Sequence, residues 1–524
     1  IAAYRRAVDL APADEQPRLL LLRALLMAGK RKTAEAEVRN IALHADAQQV
    51  DRTLGVAYEM LGNSLLAKRH FEQAVLAQPT SAGARRDLAA FHLLANDTAQ
   101  AMQEIDHLLE MDADEAAAPH IVWARRAKAR LIGRSGRYSD YQQAVQLLSE
   151  NAKLGVWAGE DLLLLAELTL PRSDPYALQQ AIRRFEPAAA ARTLSTSELL
   201  TRAKLHFALG QWPQCEQQMT SLLGNSPGNQ AVLAAWCDMK LQRGETRNVQ
   251  TLLRQLPPIS PATLRLRARL LALTGQPDRA WDVLQDLARP VDNAERMGDV
   301  VAFAGFLEEL QLHDQAERYL QSAAEKFPSL RLKLAGLLAR TGKLNEAFEI
   351  CQAERNSNTV VAVSRIGIMG LTEARGRVSP ASVQWQRVDQ WVTEGLRELP
   401  DSKHLLLHQA YLEELQGEHE LAIGRYQRYL ARNDLSFAER AVAANNLAML
   451  EAGTGDAIPG RCDAARQHID QAIDLMGPNA AMLDTRAMVR LCHGGDDRRV
   501  TAGVFGLGRA GHSITSCDRA GCRR

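Results

Sequence analysis

The sequence has few aromatic residues and almost no net charge. Aromatic side chains make up 5% of the 524 residues, and 63 basic residues nearly balance 62 acidic ones, so the formal net charge is +1. Ala and Leu must therefore supply most of the packing, and the chain as a whole is not a nucleic-acid polycation. The sequence contains no run of 18 or more apolar residues and therefore predicts no membrane span.

Patterns typical of enzymes and of disulfide-rich domains are also missing. The sequence contains no phosphate-binding loop, no H-E-x-x-H zinc motif and no G-x-S-x-G nucleophile elbow. Its seven cysteines are scattered and odd in number, which argues against a disulfide framework. Cys215, Cys237 and Cys351 stand where comparable segments carry apolar residues, so we expect them to be buried as small hydrophobic side chains.

What recurs is a glycine followed seventeen residues later by a proline or an aspartate. The pairs are Gly29/Asp46, Gly62/Pro79, Gly210/Pro227, Gly244/Pro261, Gly275/Asp292 and Gly417/Asp434. Apolar residues between them follow helical spacing, so each helix has one buried face. Glycine accepts a positive φ after the first helix, and proline ends the second. A unit of about 34 residues built in this way is a helical hairpin, and hairpins in tandem form a solenoid.

Residues 48–81 form the clearest unit. Its first helix carries Leu54, Gly55 and Tyr58, its second helix carries Ala67, Phe71 and Ala74, and Pro79 ends that second helix. This pattern resembles the tetratricopeptide repeat (TPR) family, and weaker copies occupy residues 196–229, 297–328 and 403–434. About thirteen units run from residue 13 to about 480, with half-units at both ends. We expect that Gly55 and Ala67 are small because two helices touch backbone to backbone at these residues. The resemblance implies an all-α, right-handed superhelical solenoid.

The phase of the repeat slips near 136–143, 171–175, 375–382 and 453–462, which predicts longer turns and a possible bend or split of the array. We therefore divide the chain into an N-terminal array that begins within a repeat (1–157), an irregular repeat (158–195), a central array (196–359), an irregular repeat with an insertion (360–402), C-terminal repeats (403–492), and a non-repeat tail, disordered or truncated (493–524).

Three patterns resemble chemical sites. Gly506-Leu-Gly-Arg-Ala-Gly511 follows an apolar stretch, as in a dinucleotide-binding fingerprint, but the acidic residue and later strands of such a fold are missing. His404 and His408 share a helix face without an evident third metal ligand, although His419 lies at the next turn. Cys517 and Cys522 lie near His512 but lack a second close pair. We predict no catalytic residue, no cofactor and no metal.

The resemblance implies that ligands bind the first helices of successive repeats, which line the concave face in the TPR family. The 34-residue frame places one Trp and six Arg on that face: Trp123, Arg126, Arg130, Arg52, Arg86, Arg265 and Arg269. Guanidinium groups grip carboxylates bidentately and Trp adds stacking area, so an acidic peptide or a chain terminus is the expected ligand. The alternative is that these arginines are simply solvated. Asn445 and Asn446 are candidates for binding a peptide backbone or for local roles on their helix.

The sequence therefore predicts a protein-interaction scaffold or adaptor, without catalysis, that binds partner peptides or domains. The alternative is that the chain is the TPR arm of a larger, truncated enzyme or of a secretion or envelope-assembly protein. An RNA-binding helical array is disfavoured by the near-neutral charge. We predict protein partners and no nucleic acid. The compartment stays open: a cytoplasmic location is slightly favoured, but the chain begins within a repeat, so export is also compatible.

Overall fold

The computed structural model describes residues 1–492 apart from 12–13, 45, 47–48, 113, 115–116, 154–156, 286, 288–296 and 455–459. These residues form 28 α-helices and two short 3₁₀ turns, and no strand occurs among them. The fold class predicted from the sequence, an all-α solenoid of tandem helix pairs, is confirmed. The order of elements fits thirteen first–second pairs, preceded by one second helix and followed by one first helix.

The first helices carry even numbers. They are α2 (Glu15–Met27), α4 (Val50–Met60), α6 (Ala82–Leu94), α8 (Ala118–Gly133), α10 (Gly159–Thr169), α12 (Thr196–Ala208), α14 (Gln230–Gln242), α16 (Pro261–Leu273), α18 (Met297–Glu309), α20 (Arg331–Arg340), α22 (Val360–Glu373), α24 (Lys403–Gln416), α26 (Phe437–Gly453) and α28 (Ala480–Cys492).

The second helices carry odd numbers. They are α1 (Ala2–Leu10), α3 (Arg31–His44), α5 (Ser64–Ala77), α7 (Thr98–Leu109), α9 (Tyr138–Ala152), α11 (Pro175–Ala191), α13 (Trp212–Asn225), α15 (Val249–Leu253), α17 (Pro277–Leu284), α19 (His313–Lys326), α21 (Leu344–Glu354), α23 (Val383–Glu398), α25 (His419–Leu430) and α27 (Arg461–Met476). The 3₁₀ turns are Leu170–Arg172 and Pro328–Leu330.

The turn between the paired helices α4 and α5 is a left-handed residue followed by a helix cap. Gly62 has φ +74° after α4, and the Asn63 side chain accepts a hydrogen bond from the Leu66 backbone N–H at 3.2 Å, which starts α5. The other five glycines of the recurring pairs also have positive φ. Asn96 and Gln311 adopt φ +60° at the equivalent turns of repeats without this glycine. The glycine pattern alone therefore missed these two turns.

Gly55 is small for a different reason from the one predicted. A Cβ atom built on Gly55 would lie 2.6 Å from the Phe71 ring, so the close neighbour is an aromatic side chain of the second helix and not its backbone. Ala67, Phe71 and Ala74 are buried, as the repeat pattern predicts. The ring of Phe71 fills the space that Gly55 leaves.

The hydrophobic core is a series of separate clusters along the chain. Each cluster joins neighbouring helices, for example α1 to α4 around Leu22 and Ile41, or α26 to α28 around Ala444 and Ile469. First helices also contact the next first helix, as α2 contacts α4, α6 contacts α8 and α14 contacts α16. This arrangement is the expected packing of a solenoid, in which each repeat buries its apolar face on its neighbours.

The chain forms two compact units. One comprises Ile1–Leu168 with Arg183–Thr193, and the other comprises Thr169–Ile182 with Leu194–Arg524. The six-segment division made from the sequence stays a prediction, as does the handedness of the superhelix. Asp292, one of the residues of the recurring pairs, lies outside the described residues.

One pair of cysteines forms a bond that the sequence did not indicate. Cys462, in the first turn of α27, forms a disulfide with Cys492 at the end of α28, and their Cα atoms are 5.8 Å apart. Antiparallel packing of these two helices brings together residues that are 30 positions apart, which spacing along the sequence does not show. The expectation for the other three is met: Cys215, Cys237 and Cys351 are buried free thiols.

Candidate peptide-binding surface

Arg126 of α8 is bound to the next first helix. Its guanidinium donates to both carboxylate oxygens of Asp161 on α10, at 2.7 and 3.0 Å, and it also contacts Glu160. Asp161 is buried and also accepts a hydrogen bond from the Asn151 amide at 3.0 Å. The hydrogen bonding of Arg126 to the Asp161 carboxylate is the main cause that raises the pKa of Arg126. This arginine therefore joins two repeats.

Arg269 has the same kind of surroundings. Its guanidinium lies 2.6 Å from the Asp238 carboxylate on α14 and also contacts Glu309 on α18, so a single side chain bridges three first helices. Arg52 of α4 likewise contacts Asp87 of α6. Arg340, which the sequence analysis did not single out, donates to both oxygens of Glu308 at 2.9 and 2.8 Å. Ion pairs between successive first helices thus recur in both units.

The remaining predicted residues are more available. Arg130 is half exposed and lies 3.7 Å from Glu167, a looser pair than that of Arg126. Arg86 lies over the Trp123 ring, with its guanidinium carbon 5.3 Å from the ring centre. Arg265 lies over Phe306 at 5.8 Å. Contacts of this kind hold a cation in place while its charge stays near solvent.

Arg86 and Arg52 both act on a histidine of the first helix α8. His120 of α8 has a lowered pKa, first because it is partly buried and then because Arg86 and Arg52 repel its protonated form, with Asp87 acting in the opposite direction. The cations of α4 and α6 therefore act together on a histidine of α8. Such a cluster attracts an anionic group.

Sequence reasoning missed an apolar row on the same helices. Met27, Met60 and Leu94 lie one repeat apart, each two residues before the left-handed turn residue of its hairpin, and they are 82%, 38% and 76% exposed. Their equal distance from the turn is a signal that the sequence does contain. Exposed apolar side chains in register on adjacent elements mark a candidate contact surface.

A cavity of about 380 Å³ lies beside this row, between α2, α4 and α6. Leu19, Leu20, Val56 and Met60 form its apolar wall. Arg23, Arg52, Glu15 and Asp87 supply charge at its edge. The Glu15 carboxylate accepts from the Thr53 hydroxyl through one oxygen, and its other oxygen is buried without a hydrogen-bond partner.

The two histidines of α24 and the two asparagines of α26 have partners or surroundings within the array. The pKa of buried His408 falls to about 4, first because of burial and then because of the charges on His404 and Arg365, so it is neutral at pH 7. His404 faces Glu439 at 3.6 Å. Asn446 donates to the Tyr426 hydroxyl at 3.4 Å and accepts from Asn445, which is a local role. Within the described ranges no group of three or more His, Cys, Asp or Glu is placed to hold a metal ion.

The C-terminal patterns, namely Gly506–Gly511 and the cysteines 517 and 522 with His512, lie outside the described residues. In the part of the chain that the structure describes, no helix has both the length and the apolar character needed to cross a bilayer.

Comparison with known proteins finds similar solved structures. No family model and no curated protein matches the sequence. Among solved structures, the chain is similar to one titled as the APC/C hetero-tetramer Cut9–Hcn1, with a TM-score of 0.43 and 13% sequence identity over 94% of this chain and 97% of that chain. The repeat architecture described above rests on the helices of this chain and on their contacts.

Proposed function

We propose that this chain is a protein-interaction scaffold that binds an extended partner segment on the first helices α2, α4, α6 and α8. We call this region the N-terminal first-helix surface and define it by Met27, Met60, Leu94, Arg86 and Trp123. Binding there involves no covalent step. The observation that carries the proposal is the row of exposed apolar side chains on helices that also carry Arg23 and Arg86.

The apolar row suits side chains of a partner peptide. Met27, Met60 and Leu94 present their apolar ends to solvent at equivalent points of three successive repeats. Methionine has no branched carbon and is polarizable, so it adapts to ligand side chains of different shapes. An extended segment that crosses the three helices would place apolar residues against this row.

The cations suit an acidic group on the same segment. Arg23 is exposed at the edge of the cavity, and Arg86 lies over Trp123. A carboxylate of the partner, from a side chain or from a chain end, would be attracted by these guanidinium groups. The acidic-peptide hypothesis made from the sequence is thus kept, with Arg86 as its main residue.

The same geometry assigns different roles to the predicted arginines. Arg126 and Arg269 are four-fifths buried and paired between repeats, so we propose that they align the first helices and do not contact the partner directly. Arg52 both pairs with Asp87 and lines the cavity. We assign Arg130 and Arg265 a direct role, because Arg130 is half exposed and Arg265 lies over an aromatic ring, that of Phe306.

The test is binding of a peptide array to the full chain, followed by titration of selected peptides by fluorescence anisotropy. We expect selected peptides to combine apolar and acidic residues. The triple variant Met27→Asp, Met60→Asp, Leu94→Asp should weaken their binding at least tenfold, and Arg86→Glu should weaken it and reduce its salt dependence. The matched control is Leu76→Asp, which places the same charge at a 70% exposed leucine of the second helix α5.

Circular dichroism melts verify that each variant is folded. Unchanged affinity of the folded triple variant, or equal losses for it and for Leu76→Asp, would reject the N-terminal first-helix surface as the binding site.

A further inference from the structure

The last first helix, α28, is held by a covalent bond as well as by packing. Cys462 stands one residue after the start of α27, and Cys492 is the final residue of α28. Both residues are half-buried, whereas the three free cysteines are fully buried. The bond joins the two helices at the end remote from the turn that connects them.

The apolar contact of α28 is small. It packs on α26 and α27 and buries Met482, Thr485 and Val489, while Met488 and Leu491 remain exposed. The surface that receives it consists largely of alanines, among them Ala441, Ala444 and Ala448. An isolated helix of this length is marginal in water and depends on such contacts for its order.

The other described cysteines are protected from thiol chemistry. Cys215, Cys237 and Cys351 are fully buried. Burial raises the pKa of Cys215 to about 11 and those of Cys237 and Cys351 to about 12. A thiol reacts as its thiolate and must be accessible, so these three neither oxidise readily nor exchange with the disulfide. Every cysteine in the described ranges is thus either bonded or shielded.

We infer that the Cys462–Cys492 bond is a redox-dependent clamp that keeps α28 ordered on the array, and that the chain works in an oxidising compartment. Formation of the clamp removes two protons and two electrons from the two thiols. A protein or small-molecule disulfide accepts them by exchange and leaves as two thiols. Reduction reverses these steps and leaves α28 on its few apolar contacts. Disulfides persist in secreted and periplasmic proteins and are rare in the cytosol, which is the basis for the compartment.

The experiment compares the full chain, purified without reductant from an oxidising compartment, before and after treatment with a phosphine reductant. Peptide mapping after thiol alkylation should recover a Cys462–Cys492 linked peptide, with three unlabelled thiols that react only on denaturation. Hydrogen exchange should then show residues 480–492 exchanging at least tenfold faster after reduction, while α24 and α25 are unchanged.

Two variants make the test independent of the reductant. The pair Cys462→Ala, Cys492→Ala should exchange in α28 as the reduced chain does. The control Cys351→Ala removes a thiol without removing the bond and should leave α28 unchanged. Recovery of Cys462 linked to Cys517 or Cys522, labelling of both clamp cysteines in the native oxidised chain, or equal exchange of α28 in both redox states would each overturn the inference.

Discussion

At the scale of single residues, space decides which small side chains are irreplaceable. Gly55 of α4 faces the Phe71 ring so closely that a Cβ would lie 2.6 Å from it. A Cβ atom built on Gly424 of α25 would have no neighbouring heavy atom within 4 Å. Both are helical glycines, and alanine is intrinsically better in a helix by about 1 kcal/mol. Packing therefore determines whether the substitution stabilises or destabilises.

We expect Gly55→Ala to lower the free energy of unfolding by about 1–2 kcal/mol, because the cost of overpacking exceeds the gain in helix propensity. Gly424→Ala should raise it by about 0.5–1 kcal/mol. Urea unfolding followed by circular dichroism measures both changes. A gain in stability for both variants would contradict the contact between Gly55 and Phe71.

The Arg126–Asp161 pair gives a second prediction. Asp161→Ala leaves the guanidinium of Arg126 and the amide of Asn151 without their shared acceptor, and we expect a loss of about 3 kcal/mol. Glu167→Ala removes the half-exposed partner of Arg130 and should cost less than about 1 kcal/mol. Unfolding in urea compares the two variants. Equal losses would show that Asp161 does not join the repeats as described.

His408 makes stability depend on pH. Its folded pKa is about 4 against an ordinary value of 6.5, so the unfolded chain binds the proton more readily. The contribution of His408 to the free energy of unfolding is fully present above pH 6.5. It is lost as the pH falls towards 4, and the loss is about 2 kcal/mol at pH 5. His408→Leu should remove this part of the pH dependence, whereas the exposed control His107→Gln should retain it. The measurement is the free energy of unfolding in urea at pH 7.5 and at pH 5. The same change between the two pH values for His408→Leu and for the unmodified chain would refute the assignment.

At the scale of elements, helix starts depend on side chains that satisfy free backbone groups. The Ser436 hydroxyl accepts from the Glu439 N–H at 3.3 Å, and the Glu439 carboxylate accepts from the Ser436 N–H at 2.8 Å. Burial opposes ionisation of Glu439, but hydrogen bonds from Lys403 and Ser436 outweigh it and lower its pKa to about 2. This capping box begins α26 and also ties it to α24 through Lys403.

Ser436→Ala should therefore lower the free energy of unfolding by about 1 kcal/mol and speed hydrogen exchange in the first turn of α26. Ser64→Ala is the matched control, because Ser64 is exposed in the first turn of α5, where Asn63 already provides the cap. Its effect should lie within about 0.5 kcal/mol of zero. Similar losses for the two variants would argue against the capping role of Ser436.

At the scale of the whole molecule, the hydrophobic core of the described residues consists of separate clusters, and each cluster is formed by neighbouring helices. In such an array, stability is the sum of repeats and their interfaces, and a local defect affects the adjacent repeats most. We expect Asp161→Ala to accelerate hydrogen exchange in α8 and α10 and to leave α20–α25 unchanged. Mass spectrometry of peptic fragments measures this directly. A uniform increase across the chain would instead indicate one cooperative unit.

The sequence by itself determined the helix pairs, the turns that carry a glycine, and the small and aromatic core residues of the clearest repeat. Ala67, Phe71 and Ala74 lie within one helix, and Gly62 marks the turn before it. These features are defined by residues that are three or four positions apart in the sequence. Helical periodicity is a local property, and it is visible without knowledge of any neighbour.

Only the tertiary structure decided which charged side chains are available. Arg126 and Asp161 are 35 residues apart, and nothing in the spacing of the arginines tells whether the next first helix offers a carboxylate. The same applies to the bond between Cys462 and Cys492 and to the exposure of Met27 and Leu94. These contacts depend on how one repeat packs on the next, and an ion pair or a disulfide forms only where that packing brings two groups within a few ångströms.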